Sequence, residues 1–208
     1  MRVIRLLVAL LLLAGPVAAQ GTGLASRVDA ATLRAVQPVL EGAARDSLPV
    51  AALESKVLEG VAKRVRPDLI GTVVRDLAAE FRAARAMLRD GLPGRPIADG
   101  EVVAAALAAR QGIAPEVLRA LWASSPREGS MEIPVTVLTE LVRRGVPVDE
   151  ASMVMAHVVR TAVPMQIAAQ IPGKVDGAVG AGSPPGAALS AALRTLNIPA
   201  PPGRRPNE

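Results

Sequence analysis

Three short stretches of the chain share one form: RVRPDLI at 64–70, GIAPEVL at 112–118 and GVPVDEA at 145–151. Each reads as the end of one helix, a β-branched residue, a nearby proline and an acidic residue opening the next helix. A residue before proline is driven to extended backbone, and proline followed by an acid suits a helix's first turn. A chain punctuated this way is confined to short helices joined by tight corners. The upstream helices also open alike, as LPV at 48 and IPV at 133. Two origins remain open for the similarity: a degenerate helix-hairpin repeat, or the shared chemistry that any short helix-helix corner requires. Both give the same architecture.

The apolar pattern between corners is helical. Val50, Leu53, Val57, Val61 and Val65 recur every three or four residues, and so do Ile70, Val73, Val74, Leu77, Phe81, Ala84 and Leu88. That spacing places each set on one stripe of a helix. Glu59 and Lys63 stand four residues apart as a favourable exposed pair. Half of the residues are apolar, yet Phe81 and Trp122 are the whole aromatic complement. A core of alanine, leucine and valine suits closely packed helices, since alanine and leucine lose little side-chain entropy there.

The first segment predicts the compartment. MRVIRLLVALLLLAGPVAAQ has basic residues at Arg2 and Arg5, an apolar run from Leu6 to Ala14, a Gly15-Pro16 break and then small residues. Val17 and Ala19 occupy the positions a signal peptidase inspects, which predicts cleavage between Ala19 and Gln20. The apolar run falls short of the roughly 20 residues of a membrane span. No later stretch is long and apolar enough either, so the expected product is an exported, periplasmic or secreted chain. Removing residues 1–19 leaves 22 basic against 19 acidic residues, and the net charge falls from +5 to +3. The high pI, near 10.8, therefore reflects mainly the high pKa of arginine, which supplies all basic residues except Lys56, Lys63 and Lys174.

The expected organisation is all-α: a signal peptide at 1–19, a weakly patterned lead segment at 20–47 and a helix hairpin at 48–92. A second helical region at 97–172 and a Gly/Pro-rich tail at 173–208 follow. The lead segment suggests one short helix broken near Pro38, and Ser47 is a candidate cap for the helix after it. Asp99 is the candidate N-cap of the second region. In the tail only ALSAALRTL has helical character, and the rest reads as mostly disordered. Each hairpin alone leaves an apolar stripe uncovered, so the hairpins are expected to stack side by side as a helical repeat or bundle. The stretch LPVAALESKVLEGVAKRVRPDLIGTVVRDLAAEFRAAR, at 48–85, resembles exported all-helical proteins of GC-rich bacteria. That resemblance implies an all-helical exported chain and brings no activity with it.

Candidate chemistry is sparse. ALAARQGIAPEVLRAL at 106–121 has the spacing of a helix-turn-helix. A recognition helix, however, presents Arg, Asn, Gln, Ser or Lys to base edges, and PEVLRALWASS offers Arg119 as its one strong donor. Arg75, Arg82, Arg85 and Arg89 form a positive stripe that could contact an anion or a partner, with Asp76 and Glu80 interleaved. His157, the single histidine, has no companion residues for catalysis or metal binding and reads as a core or boundary residue. Met153, four residues before it, is a weak soft-metal signal against ordinary packing. There is no cysteine, no Gly-x-Ser-x-Gly elbow, no Ser-x-x-Lys and no phosphate loop. No catalytic, cofactor or metal-binding residue is assigned. The sequence supports a structural or protein-interaction module whose partner is another envelope or secreted protein, with no specific nucleic acid. A helix-turn-helix regulator with a misread leader is the alternative, and an enzyme of unrecognised type is the weaker one.

Overall fold

The computed structural model describes residues 23–91, 94–125 and 129–202. Among these the secondary structure is entirely helical, in ten segments. In chain order they are α1 (Ala30–Arg45), α2 (Val50–Ala62), α3 (Pro67–Gly91), α4 (Asp99–Arg110) and α5 (Pro115–Ala123), followed by α6 (Glu132–Arg143), α7 (Val148–Arg160), α8 (Met165–Ala168), α9 (Ile171–Gly180) and α10 (Pro185–Thr195). No helix among the described residues is long and apolar enough to cross a membrane. The leader and its Ala19–Gln20 cleavage point lie outside the described residues.

The corner legible three times in the sequence occurs seven times in the fold. Ser47, Arg64, Gly112, Gly145, Ala162, Gly182 and Asn197 all have left-handed backbone, with φ between 53 and 93°. Each donates its N–H to the carbonyl three residues back. The next residue donates to the carbonyl five back, as in Leu48 to Ala43 at 2.8 Å, Ile113 to Ala108 at 3.1 Å and Ile198 to Leu193 at 2.9 Å. This paired arrangement satisfies two carbonyls that the helix end would otherwise orphan. Proline then follows two or three residues after the left-handed position, at 49, 67, 115, 147, 164, 184 and 199. Ser47 thus closes α1 and does not cap α2, whose N-cap is Pro49.

Two helices act as spines. α3 packs against α1, α2, α4 and α5, while α6 packs against α4, α7, α8 and α9. The helix between the spines, α4, buries Val102, Ala104, Ala105, Ala106 and Ala108, so its apolar residues face neighbours on several sides. Alanine is what permits this, because its short side chain lets flanking helices approach a central one closely. Close approach recurs where α1 crosses α3: a Cβ at Gly71 would stand 3.1 Å from the Ala35 carbonyl oxygen. Phe81 and Trp122 are both buried. On the α2–α3 stripe Leu53, Val57, Ile70, Val74, Leu77 and Leu88 are buried as the periodicity predicts, whereas Val65 and Val73 are exposed. Glu59 pairs with both Lys56 (2.8 Å) and Lys63 (2.6 Å), which hold its carboxyl well below the usual range.

Three further local expectations change. α1 is not broken at Pro38 but runs sixteen residues through it. Proline forfeits one hydrogen bond there, but buried Val36 and Leu40 lie on either side. Asp29 also anchors the start, accepting from the Ala31 and Thr32 N–H groups at 2.9 Å and from the Thr32 hydroxyl at 2.7 Å. At α4 the N-cap is Ala98, and Asp99 is the first helical residue. In the tail, helix extends beyond ALSAALRTL to Ile171–Gly180. Ile171 and Val175, four apart, are fully buried there despite the surrounding glycines, and Leu189, Leu193 and Ile198 are buried further on. Asp176 receives both Nε (2.6 Å) and Nη2 (2.7 Å) of Arg144, which ties α9 to α6 and lowers the Asp176 pKa. Residues 203–208 of the tail lie outside the described residues.

A buried acid fixes the second region. Glu101, with 2% of its side chain exposed, accepts from Arg95 Nη2 at 2.7 Å and from the Met131 N–H at 2.8 Å through Oε1. Through Oε2 it accepts from the Ala98 N–H at 3.2 Å. Arg95 Nη2 also donates to the Gly129 carbonyl at 2.6 Å. One carboxylate therefore joins the loop before α4, the first turn of α4 and the start of α6.

Removing that carboxylate as Glu101→Ala should lower stability by about 3–5 kcal/mol, because it strands a partly buried guanidinium and two N–H groups. Denaturant unfolding measures this, and a loss below about 1 kcal/mol would show that the cluster is not a staple. At the corners the sign of a substitution should follow φ. Gly112, at φ 75°, has nothing within 4 Å of an added Cβ, so Gly112→Ala should cost about 1–2 kcal/mol from backbone strain alone. Ala162→Gly, at φ 53°, should instead stabilise by up to about 1 kcal/mol once the greater freedom of glycine in the unfolded chain is counted.

Candidate functional site

The first candidate surface is a cleft on the exposed side of α3. Arg82, Arg85 and Arg89 stand at i, i+3 and i+7, which places them on one helix face. Together with Ala86, Asp46 and Leu48 they line a cleft of about 240 Å³. Asp46 and Leu48 come from the first corner, which the left-handed Ser47 turns toward α3.

The arginines differ in how they are satisfied. Arg82 is half exposed and donates through Nε (3.0 Å) and Nη2 (2.6 Å) to a single Asp46 oxygen. Arg85 is largely buried, with 11% of its side chain exposed. Its hydrogen bonding is poor: one long contact from Nη2 to the Ile97 carbonyl at 3.4 Å, Asp99 at 3.5 Å, and a buried Nε with no protein partner. Arg89 is exposed and pairs with no carboxylate among the described residues. Arg75 does not join this cleft. It lies two turns away, about 10 Å along the helix, and is exposed. Of the interleaved acids, Glu80 turns aside to pair with Arg110 of α4 at 2.5 Å.

The second candidate surface is an apolar groove of about 330 Å³ between the first hairpin and the α4–α5 corner. Its walls are Ala83, Ala84 and Met87 from α3, Ala105 and Ala109 from α4, and Leu118 from α5. The Glu80–Arg110 pair lies on its border. Ile113 and Pro115, from the stretch with helix-turn-helix spacing, line one end. The groove follows from the same alanines that bring the helices together, since they leave space between backbones wherever no larger side chain fills it.

The remaining expectations find their places around these surfaces. In α5 the apolar face of Leu118, Leu121 and Trp122 is buried. Arg119, the one strong donor of the would-be recognition helix, forms an ion pair with Glu116 one turn earlier. That exposed face therefore presents no unpaired basic side chain to a base edge or a phosphate. His157 is 8% exposed in α7, with a buried Nε2 that has no protein partner. Met153 is 45% exposed and lines a separate shallow cleft between α5 and α7. The two are on one helix but in different environments. Among the described residues, no three His, Cys, Asp or Glu side chains are grouped to hold a metal ion.

Sequence reasoning identified the arginine face but missed two of its determinants, the acid at Asp46 and the burial of Arg85. The first depends on α1 packing beside α3, which the weak pattern of residues 20–47 does not reveal, and Arg85 meets Ile97 and Asp99 at the entry to α4, which no local pattern connects to α3. Glu101 was also missed, although a glutamate three residues into a helix is the usual signal of an acid that reaches back to cap it. Comparison with known proteins finds no family model, no curated protein and no solved structure that matches the chain.

Proposed function

We propose that the chain is an exported helical module that binds another envelope or secreted protein, and that the groove between α3, α4 and α5 receives an amphipathic helix of that partner. The groove is the observation that carries this reading. Its volume of about 330 Å³ is at the lower end for small-molecule sites, which span about 300–1,000 Å³, and suits one or two anchor side chains of a docked helix. Its alanine walls let a second backbone come close. Glu80 and Arg110 supply one charge of each sign at the border, so a partner carrying both signs beside an apolar stripe is complementary. The basic start, short apolar run and small residues before Gln20 support export.

Two measurements test the two halves of the proposal. A photo-crosslinking side chain at exposed Ala83 should capture a discrete partner from the envelope fraction, and the same group at exposed Gln166 should not. Filling the groove with Ala109→Trp, whose site is also exposed, should abolish capture while leaving the helical circular dichroism unchanged. Capture that survives Ala109→Trp would place the contact elsewhere. For export, N-terminal sequencing of the envelope-fraction protein should begin at Gln20, whereas intact chain starting at Met1 in the cytoplasmic fraction would overturn it.

A further inference from the structure

We infer that the cleft formed by Arg82, Arg85 and Arg89 is a binding site for a phosphate group. The inference is independent of the protein-docking groove and rests on different residues. Its starting point is Arg85. A guanidinium carries five N–H donors and stays charged at every accessible pH. Taking such a group out of water is costly unless it is paired and hydrogen-bonded. Arg85 meets neither condition well: its side chain is 11% exposed, its one hydrogen bond is 3.4 Å long, and Asp99 stands at 3.5 Å. Asp99 is itself two-thirds exposed, so it screens the charge without saturating it. An under-satisfied cation at the wall of an open cleft leaves N–H donors for the oxygens of a ligand to accept from.

The neighbours define the ligand. Arg89 adds a second guanidinium with no carboxylate partner. Arg82 adds a third, held in place by Asp46 yet with its Nη1 hydrogen atoms uncommitted in the hydrogen bonds it makes. Three cationic forks face one anion, Asp46, within the lining. A carboxylate ligand brings two oxygens and a single charge, which leaves most of this cationic excess unmatched. A terminal phosphate has three oxygens and a charge near −2, so it can accept from two or three guanidinium groups at once. The cleft volume of about 240 Å³ leaves room for the group and the first atoms of whatever bears it. The lining contains no aromatic ring, so nothing there stacks on a nucleobase. What is recognised is the phosphate itself, borne on a soluble molecule or on a lipid headgroup.

The test uses the full chain with inorganic pyrophosphate as the probe, followed by calorimetry and by the arginine Nε–H resonances in NMR. Pyrophosphate should bind saturably and move the Arg85 Nε–H resonance. Arg89→Ala should weaken binding about tenfold, the effect of losing one charge-assisted bidentate contact. Arg75→Ala removes the same charge from the same helix outside the cleft and should change affinity less than about twofold. Both sites are exposed, so neither variant threatens the fold. Vesicles of phosphatidic acid, whose headgroup is a terminal phosphate, set against phosphatidylglycerol, whose phosphodiester carries one charge, separate the sources. Binding that depends on Arg89 and is competed by pyrophosphate identifies a headgroup, while pyrophosphate binding without vesicle binding identifies a free phosphate. Absence of binding to both probes overturns the site. So does equal weakening by Arg75→Ala and Arg89→Ala, which would reduce the effect to diffuse charge.

Discussion

The hydrogen bond from the residue after each left-handed position to the carbonyl five residues earlier is what the architecture depends on. A chain this short of aromatics has few large side chains with which to build a thick core, so it must bring many small apolar stripes together. That requires frequent reversals that leave few backbone groups unsatisfied. The paired bonds at each corner satisfy two carbonyls within two residues, and the following proline can lie in the first turn of the next helix or just before it. The left-handed residue therefore sets the direction of each following helix. At Ser47 the same geometry carries Asp46 and Leu48 to the flank of α3 and completes the arginine cleft.

The second constraint is the placement of α4. A helix covered on several sides cannot vary its register without moving both spines, and alanine side chains offer little shape to define that register. Glu101 supplies the missing specificity. Its three acceptor contacts join points that are far apart in sequence, Arg95 and Met131 among them. A polar group in such a position adds uniqueness to an interface whose apolar surfaces are nearly featureless, in the way buried polar residues fix register in helical assemblies.

The all-helical class, the α2–α3 hairpin and three corners were legible because they rest on local signals: apolar period, glycine, and proline with an acid. The other four corners were not all hidden for the same reason. Ser47, Ala162 and Asn197 lack the glycine that marks a left-handed stop, while Gly182 sits in a segment whose composition masks its helices. Arg64 shows that even a recognised corner can carry a bulky residue at the strained left-handed position. α1 was undervalued because Pro38 is read as a break by its local chemistry, and α9 because Gly173, Gly177 and Gly180 conceal Ile171 and Val175. At the candidate site the arginine spacing was visible from one helix alone. The unequal satisfaction of those arginines depends on the 95–98 loop and on α1, which no local pattern connects to α3.

The scarcity of aromatic residues has an optical consequence. With one tryptophan and no tyrosine in the chain, essentially all intrinsic emission comes from Trp122, buried in α5 one turn beyond the groove residue Leu118. Its indole N–H is buried without a protein partner, so the emission is sensitive to any polar group brought near that point. The molecule thus carries a single-site reporter for the α5 side of the groove. The arginine cleft does not include it, and the two surfaces can be observed separately by light and by arginine resonances.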